Sequence, residues 1–111
     1  MSEHYLSAEP THSRWNRALP PRLRIAPGDT VSLECVDASG AQVLPGMTVA
    51  EYGGIDRERI HALTGPIHVE GAQAGDALQV DVLQVAHKRL GLVECGYRAG
   101  FSKAEIRRTP L

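Results

Sequence analysis

The sequence predicts a mainly β domain, a sandwich- or barrel-like body of short strands with at most one or two short helices. Three observations predict it. Apolar and polar residues alternate in several short runs, which is the period of a strand with one covered face. Glycine and proline clusters cut those runs at short intervals. A turn followed by an alternating run also occurs twice, opening at Pro27-Gly28-Asp29 and at Ala74-Gly75-Asp76.

Residues 1–21 read as an extended, irregular N-terminal arm. They are polar and end in Pro20-Pro21, which disfavours helix. Trp15, the single tryptophan, is expected to anchor this arm on the body, because an exposed indole leaves a large apolar area in water. Leu23 and Ile25 alternate with Arg22, Arg24 and Ala26 and predict a short strand. Pro27 then pre-sets φ, and Gly28 accepts the positive φ of a type II turn. From Thr30 to Asp37 a second strand is expected, with Val31, Leu33 and Cys35 on one face and Ser32, Glu34 and Val36 on the other. Asp37-Ala38-Ser39-Gly40 is turn chemistry again.

Pro45-Gly46 and Gly53-Gly54 mark loops. A short helix fits within Ile55–Leu63, with Asp56 near its start and Thr64-Gly65-Pro66 ending it. Ile67-His68-Val69-Glu70 is a short alternating strand, followed by a glycine/alanine connection from Gly71 to Gly75. Ala77 to Val85 carries the clearest alternation. Leu78, Val80 and Val82 point one way; Gln79, Asp81 and Leu83 point the other. Ser102-Lys103-Ala104-Glu105 has capping-box spacing and opens a short terminal helix through Arg108. The resulting organisation is an arm at 1–21, a β-rich domain at 22–93 and a divergent tail at 94–111.

The Gly-Asp pair recurs after 75 − 28 = 47 positions. One recurrence is no solenoid, which needs about three repeats. It is either a coincidence of common turn chemistry or a pair of turn-plus-strand units that pair or face each other.

At 111 residues the chain is one ordinary domain, and 42% hydrophobic with 23% charged residues places it among globular proteins rather than disordered ones. A formal net charge of -1 leaves no overall basic footprint for nucleic acid. Arg22/Arg24, Lys88-Arg89 and Arg107-Arg108 read as solvated surface. No apolar run of the roughly 18 residues needed for a membrane span is present. The polar N-terminus lacks the apolar stretch of a secretory signal, so a cytoplasmic location is expected. Cys35 and Cys95 have no zinc-type spacing and read as reduced, half-buried strand thiols, with a disulfide between them as the lesser alternative.

None of the five histidines, His4, His12, His61, His68 and His87, stands in a close-ligand arrangement. His68 and Glu70 lie two apart on one expected strand and so share a face. Such a pair suits a metal or an orienting role, and equally a surface hydrogen bond. Glu34 and Asp37 face either a site or solvent. Nucleophile-elbow, Walker A and Rossmann glycine patterns are absent from the sequence.

Three segments in order carry something more specific. They are Trp15-Asn16-Arg17-Ala18-Leu19-Pro20-Pro21 with Ile25-Ala26-Pro27-Gly28-Asp29-Thr30-Val31; then Glu34 to Gln42; then His61-Ala62-Leu63-Thr64-Gly65-Pro66-Ile67-His68-Val69-Glu70-Gly71-Ala72-Gln73-Ala74-Gly75-Asp76. Together they resemble the N-terminal part of the acetamidase/formamidase family over roughly residues 12 to 87. The third segment is the most specific, matching a T-G-P-[IV]-x-V-E-G-A-x-P-G-D stretch, with Ala74 where the family usually has proline.

The resemblance implies a mostly β fold and a hydrolase of the carbon–nitrogen bond in small linear amides such as formamide or acetamide. It also implies a divalent metal, zinc or calcium, largely bound by residues that have no counterpart in this chain. On that reading Glu70 and His61 are the catalytic candidates, and Asp37 and His68 contact substrate. Family members are several times longer than this chain, so the resemblance implies a partial form and leaves the activity of the chain alone open. The alternative is a non-catalytic β-rich domain that assembles with itself as a homo-oligomer or with a companion chain.

Overall fold

A computed structural model of the chain describes residues 1–89 and residue 91. Cys95, the expected terminal helix at Ser102–Arg108 and the whole tail at 94–111 lie outside the described residues. The chain divides into two compact units, Met1–Asp81 and Val82–Leu111. In the second, the described residues are exposed and have no regular secondary structure.

The first unit is mainly β. Its elements in order are β1 (Glu3–Leu6), β2 (Leu23–Ile25), β3 (Thr30–Leu33), the short helix α1 (Val49–Gly53), one 3-10 turn (Arg57–Arg59) and β4 (Ile67–Val69). The strands form two two-stranded ladders, β1 with β3 and β2 with β4, both parallel. Parallel neighbours cannot be joined by a tight hairpin, so each pairing spans a long stretch of chain. In register, Glu3 lies opposite Thr30 and Leu6 opposite Leu33; Leu23 lies opposite Ile67 and Ile25 opposite Val69. No helix among the described residues is long and apolar enough to cross a membrane.

The two Gly-Asp turns are built alike. In the first, the Asp29 amide donates to the Ala26 carbonyl at 3.1 Å, the Ala26 amide donates back to Asp29 Oδ2 at 3.0 Å, and Gly28 has φ of 90°. In the second, the Asp76 amide donates to the Gln73 carbonyl at 3.0 Å, the Gln73 amide donates to Asp76 Oδ2 at 2.8 Å, and Gly75 has φ of 98°. The strands that precede the turns are the ones that pair. Their register offset is 67 − 23 = 44 positions, against 47 for the turns, so the second unit carries three extra residues between strand and turn. Those residues are Glu70-Gly71-Ala72, where the Ala72 amide closes a turn on the Val69 carbonyl. The recurrence is therefore a structural repeat.

The apolar core is small. Among the described residues only Leu6 and Ala8 are buried apolar side chains, 7% and 5% exposed. Burying one leucine contributes about 1.5–3 kcal/mol, little against an ordering cost of about 1–2 kcal/mol per residue. Polar cross-links between distant segments do much of the holding. The Arg22 guanidinium donates to the carbonyls of Ser7 (3.0 Å), Glu9 (2.7 Å) and Pro10 (3.1 Å) and to the Ser7 hydroxyl (3.1 Å). Asp29 accepts from the Ser2 amide at 2.8 Å and from His4 Nε2 at 2.9 Å, which locks the start of β1 to the turn before β3. At Thr64-Gly65-Pro66 three segments meet. The Thr64 hydroxyl donates to the Glu34 carbonyl at 2.8 Å, His12 and Leu63 exchange backbone bonds of 3.1 and 2.7 Å, and the Arg22 amide donates to the Pro66 carbonyl at 2.9 Å. Gly65 itself is buried, with φ of 128°.

Several expectations need correction. The arm contains a strand, β1, because His4 and Leu6 turn inward while its backbone completes the edge of β3. Trp15 anchors nothing, being 94% exposed. β3 stops at Leu33, so Cys35 lies beyond it and is exposed rather than half-buried in a strand. The helix expected within Ile55–Leu63 shrinks to the 3-10 turn, although Asp56 does cap it, accepting from the Glu58 amide. A separate short helix, α1, starts from Thr48, whose hydroxyl accepts from the Glu51 amide. Ala77 to Val85 forms no strand. Its alternation is real, but among the described residues no neighbouring strand offers a ladder.

Two outcomes follow. The Asp29 carboxyl sits well below its ordinary value of 3.8, chiefly because the Ser2 and Ala26 amides, then His4, donate to the charged form. A depressed carboxyl stabilises the fold above its unfolded-state value, and that contribution drains away as pH falls from about 4 towards the folded value. Asp29→Asn is expected to lower the melting temperature at neutral pH and to flatten its acid limb, measured by circular dichroism melts from neutral to acid pH. Gly65→Ala, forced into the left-handed region, is expected to cost about 1–3 kcal/mol in urea unfolding, while Gly46→Ala, in open space though also at positive φ, tests how much comes from φ alone.

Candidate functional site

Four residues stand out from the sequence as chemistry-bearing, and the fold distributes them over two places. His68 sits at the centre of β4 and Glu70 just past its end. The Glu70 amide donates to the Ile25 carbonyl at 2.8 Å, so the β2–β4 ladder runs on through it. Two residues apart on an extended chain, the side chains share a face, and His68 Nε2 stands 3.7 Å from Glu70 Oε2. Arg24 lies opposite His68 in register. The face thus presents a guanidinium, an imidazole and a carboxylate to solvent. Such a set can orient a small polar molecule and move a proton.

Asp37 and His61 occupy the second place. The Asp37 carboxylate accepts from the Ser39 hydroxyl, from the Ser39 amide at 3.0 Å and from the Ala41 amide at 2.9 Å. These bonds, the Ser39 hydroxyl foremost, draw its carboxyl below the ordinary range. The carboxylate is thereby committed to holding its own turn. His61 reaches that turn through its backbone, its amide donating to the Ala38 carbonyl at 2.7 Å. Its φ of 61° is unusual for a residue with a β-carbon. No hydrogen bond or ion pair joins the His61 side chain to Asp37, His68 or Glu70.

Sequence reasoning missed a third cluster, at the β1–β3 ladder. His4 and Asp29 pair across 25 positions, and the Tyr5 hydroxyl donates to Glu34 Oε2 at 3.0 Å across 29 positions. Glu3, His4, Tyr5, Thr30 and Ser32 line a shallow cleft beside them. The Glu34 carboxylate holds the neutral phenol of Tyr5 and so raises its ionisation, with burial and repulsion adding to the effect. Contacts across such separations have no sequence period to betray them. Elsewhere, His12 Nδ1 is covered and lacks a hydrogen-bond partner beside the Gly65 backbone.

Among the described residues no complete metal centre is formed. No group of three or more His, Cys, Asp or Glu among the described residues converges in a way that can hold an ion. His68 and Glu70 supply two donors at most.

Comparison with known proteins places this geometry in context. The chain matches the Acetamidase/Formamidase family over residues 2–107. It is 39% identical over 74 residues to a formamidase of Methylophilus methylotrophus, covering 67% of this chain and 18% of that protein. It is 36% identical over 74 residues to a putative formamidase of Schizosaccharomyces pombe, covering 67% and 18%. It is 35% identical over 78 residues to an acetamidase of Mycolicibacterium smegmatis, covering 70% and 19%. The chain therefore spans under a fifth of the length of these relatives. No solved structure matches it.

Glu34→Gln keeps an acceptor for Tyr5 but removes the charge. The Tyr5 ionisation is expected to fall towards the ordinary tyrosine value of 10.0. Following labelled tyrosine ring carbons by NMR through an alkaline titration checks it, and an unmoved Tyr5 would show that Glu34 is not the cause.

Proposed function

Because this chain belongs to the acetamidase/formamidase family, we propose that it forms the front portion of a hydrolase acting on the carbon–nitrogen bond of small linear amides such as formamide or acetamide. The single observation that carries this reading is the family match across residues 2–107. Its most specific stretch, Thr64 to Asp76, folds here into β4, the second Gly-Asp turn and the crossing point at Gly65.

Hydrolysis adds water to the amide carbonyl, passes through a tetrahedral intermediate and releases ammonia and a carboxylate. It needs a base to take the water proton and an acid to return a proton to the leaving nitrogen. Glu70 is our candidate for that exchange, since it is an exposed carboxylate within reach of an imidazole. His68, beside it, is the candidate substrate contact. His61 remains a candidate for catalysis at the neighbouring turn. Asp37 suits a supporting role better than direct contact, because its oxygens already accept from Ser39 and Ala41. A divalent metal, zinc or calcium, would polarise the carbonyl and activate water when bound; the greater part of its ligands would come from outside the described residues. A cytoplasmic site of action fits the same reading.

A second reading, a non-catalytic β domain that assembles with a partner or with itself, is favoured by one observation: the run of exposed apolar residues from Leu78 to Val85.

Ammonia release from formamide and acetamide, with zinc or calcium added, tests the first reading. Turnover is expected, falling about 10²-fold or more in Glu70→Gln, with the Asp37→Asn loss tracking stability instead. No ammonia from the chain, alone or with a companion polypeptide, would leave the second reading standing.

A further inference from the structure

The two turn-plus-strand units are alike up to one difference. After the first turn, Thr30–Leu33 pairs with β1. After the second, the equivalent residues, 47 positions on, are Ala77–Val80. Among the described residues no backbone hydrogen bond reaches their amides. Leu78 and Val80, in the places of Val31 and Leu33, are 64% and 79% exposed.

The second turn lacks contacts that the first one makes. Asp29 holds its own turn through Ala26 and also accepts from the Ser2 amide and His4 of the strand laid beside it. Asp76 holds its own turn through Gln73, and nothing described stands where Ser2 and His4 would. A β-carbon at Gly28 would meet the Met1 side chain at 3.6 Å, whereas at Gly75 nothing among the described residues lies within 4 Å. The first unit is a filled version of the second. Unpaired strand backbone beside apolar side chains is the condition under which a sheet edge takes up another chain.

We propose that Ala77–Val80 is an acceptor edge for one parallel β-strand, supplied by the four-fifths of the family's polypeptide that this chain does not span. The strand has β1 chemistry. Its leading backbone amide donates to the free Oδ1 of Asp76, and a side-chain donor two residues on reaches Oδ2, as Ser2 and His4 do at Asp29. That donor then lies opposite Leu78, as His4 lies opposite Val31, and an apolar residue in the place of Leu6 lies opposite Val80. The inference rests on family membership and on the repeat, and not on the proposed activity, so a failed amide assay leaves it intact.

A synthetic peptide with the sequence of residues 1–8 serves as the probe strand. It is added in excess to the full chain, and hydrogen exchange is read by NMR at single amides. The expected result is protection of alternate amides in Ala77–Val80, with saturating binding that weakens about tenfold or more in Asp76→Ala and is lost in Val80→Asp. Circular dichroism of both variants checks that the exposed substitutions leave the fold unchanged. Three outcomes overturn the proposal: no protection at these amides, protection unaffected by Asp76→Ala, or protection that rises with chain concentration without peptide, which would make a second copy the occupant.

Discussion

The Asp29 carboxylate is the group on which the arrangement of this chain depends. A parallel ladder has no hairpin to set its register, so something else must fix where the N-terminal strand begins. Asp29 does so by accepting bonds from Ser2, His4 and Ala26 at once. That places Glu3 opposite Thr30, and with it Leu6, one of the two buried apolar side chains among the described residues, against the body. Arg22 does the matching work on the segment after β1. Where the core is this small, a few charged groups with several acceptors or donors each replace packing as the source of a defined geometry.

The Thr64-Gly65-Pro66 segment ties the two ladders to that frame. It bonds the exit of β3 through Glu34 and the start of β2 through Arg22, Leu63 just before it exchanges bonds with His12 of the arm, and it leads straight into β4. The candidate catalytic face around His68 and Glu70 is thus positioned from behind by backbone bonds, with His68 half-buried and Glu70 exposed. The most family-specific stretch of sequence therefore has a structural reason for its residue types: only glycine is at ease with φ of 128° in that buried crossing.

What was legible in the sequence was local. Leu23–Ile25 and Ile67–Val69 alternate cleanly and are strands; Pro27-Gly28-Asp29 has turn chemistry and is a turn; His68 and Glu70 share a face because strand geometry demands it. What was not legible depended on partners. β1 is too polar to announce itself, and only its pairing with β3 and its bonds to Asp29 make it a strand. Ala77–Val85 announces itself loudly and is none, because alternation describes a chain's readiness for a neighbour and not the neighbour's presence. The His4–Asp29 and Tyr5–Glu34 pairs join positions 25 and 29 apart, which no periodicity can foretell. Nor did the turn residues around Asp37 reveal that its carboxylate accepts from Ser39 and Ala41.

The exposed indole of Trp15 has a practical consequence. As the single tryptophan, it accounts for the red-edge fluorescence of the whole chain, and in water its emission lies at long wavelength and is open to collisional quenchers. Any macromolecule that settles over the arm will shift that emission towards the blue and shield it, while events elsewhere will leave it untouched. The molecule carries its own optical gauge of which surface has been covered.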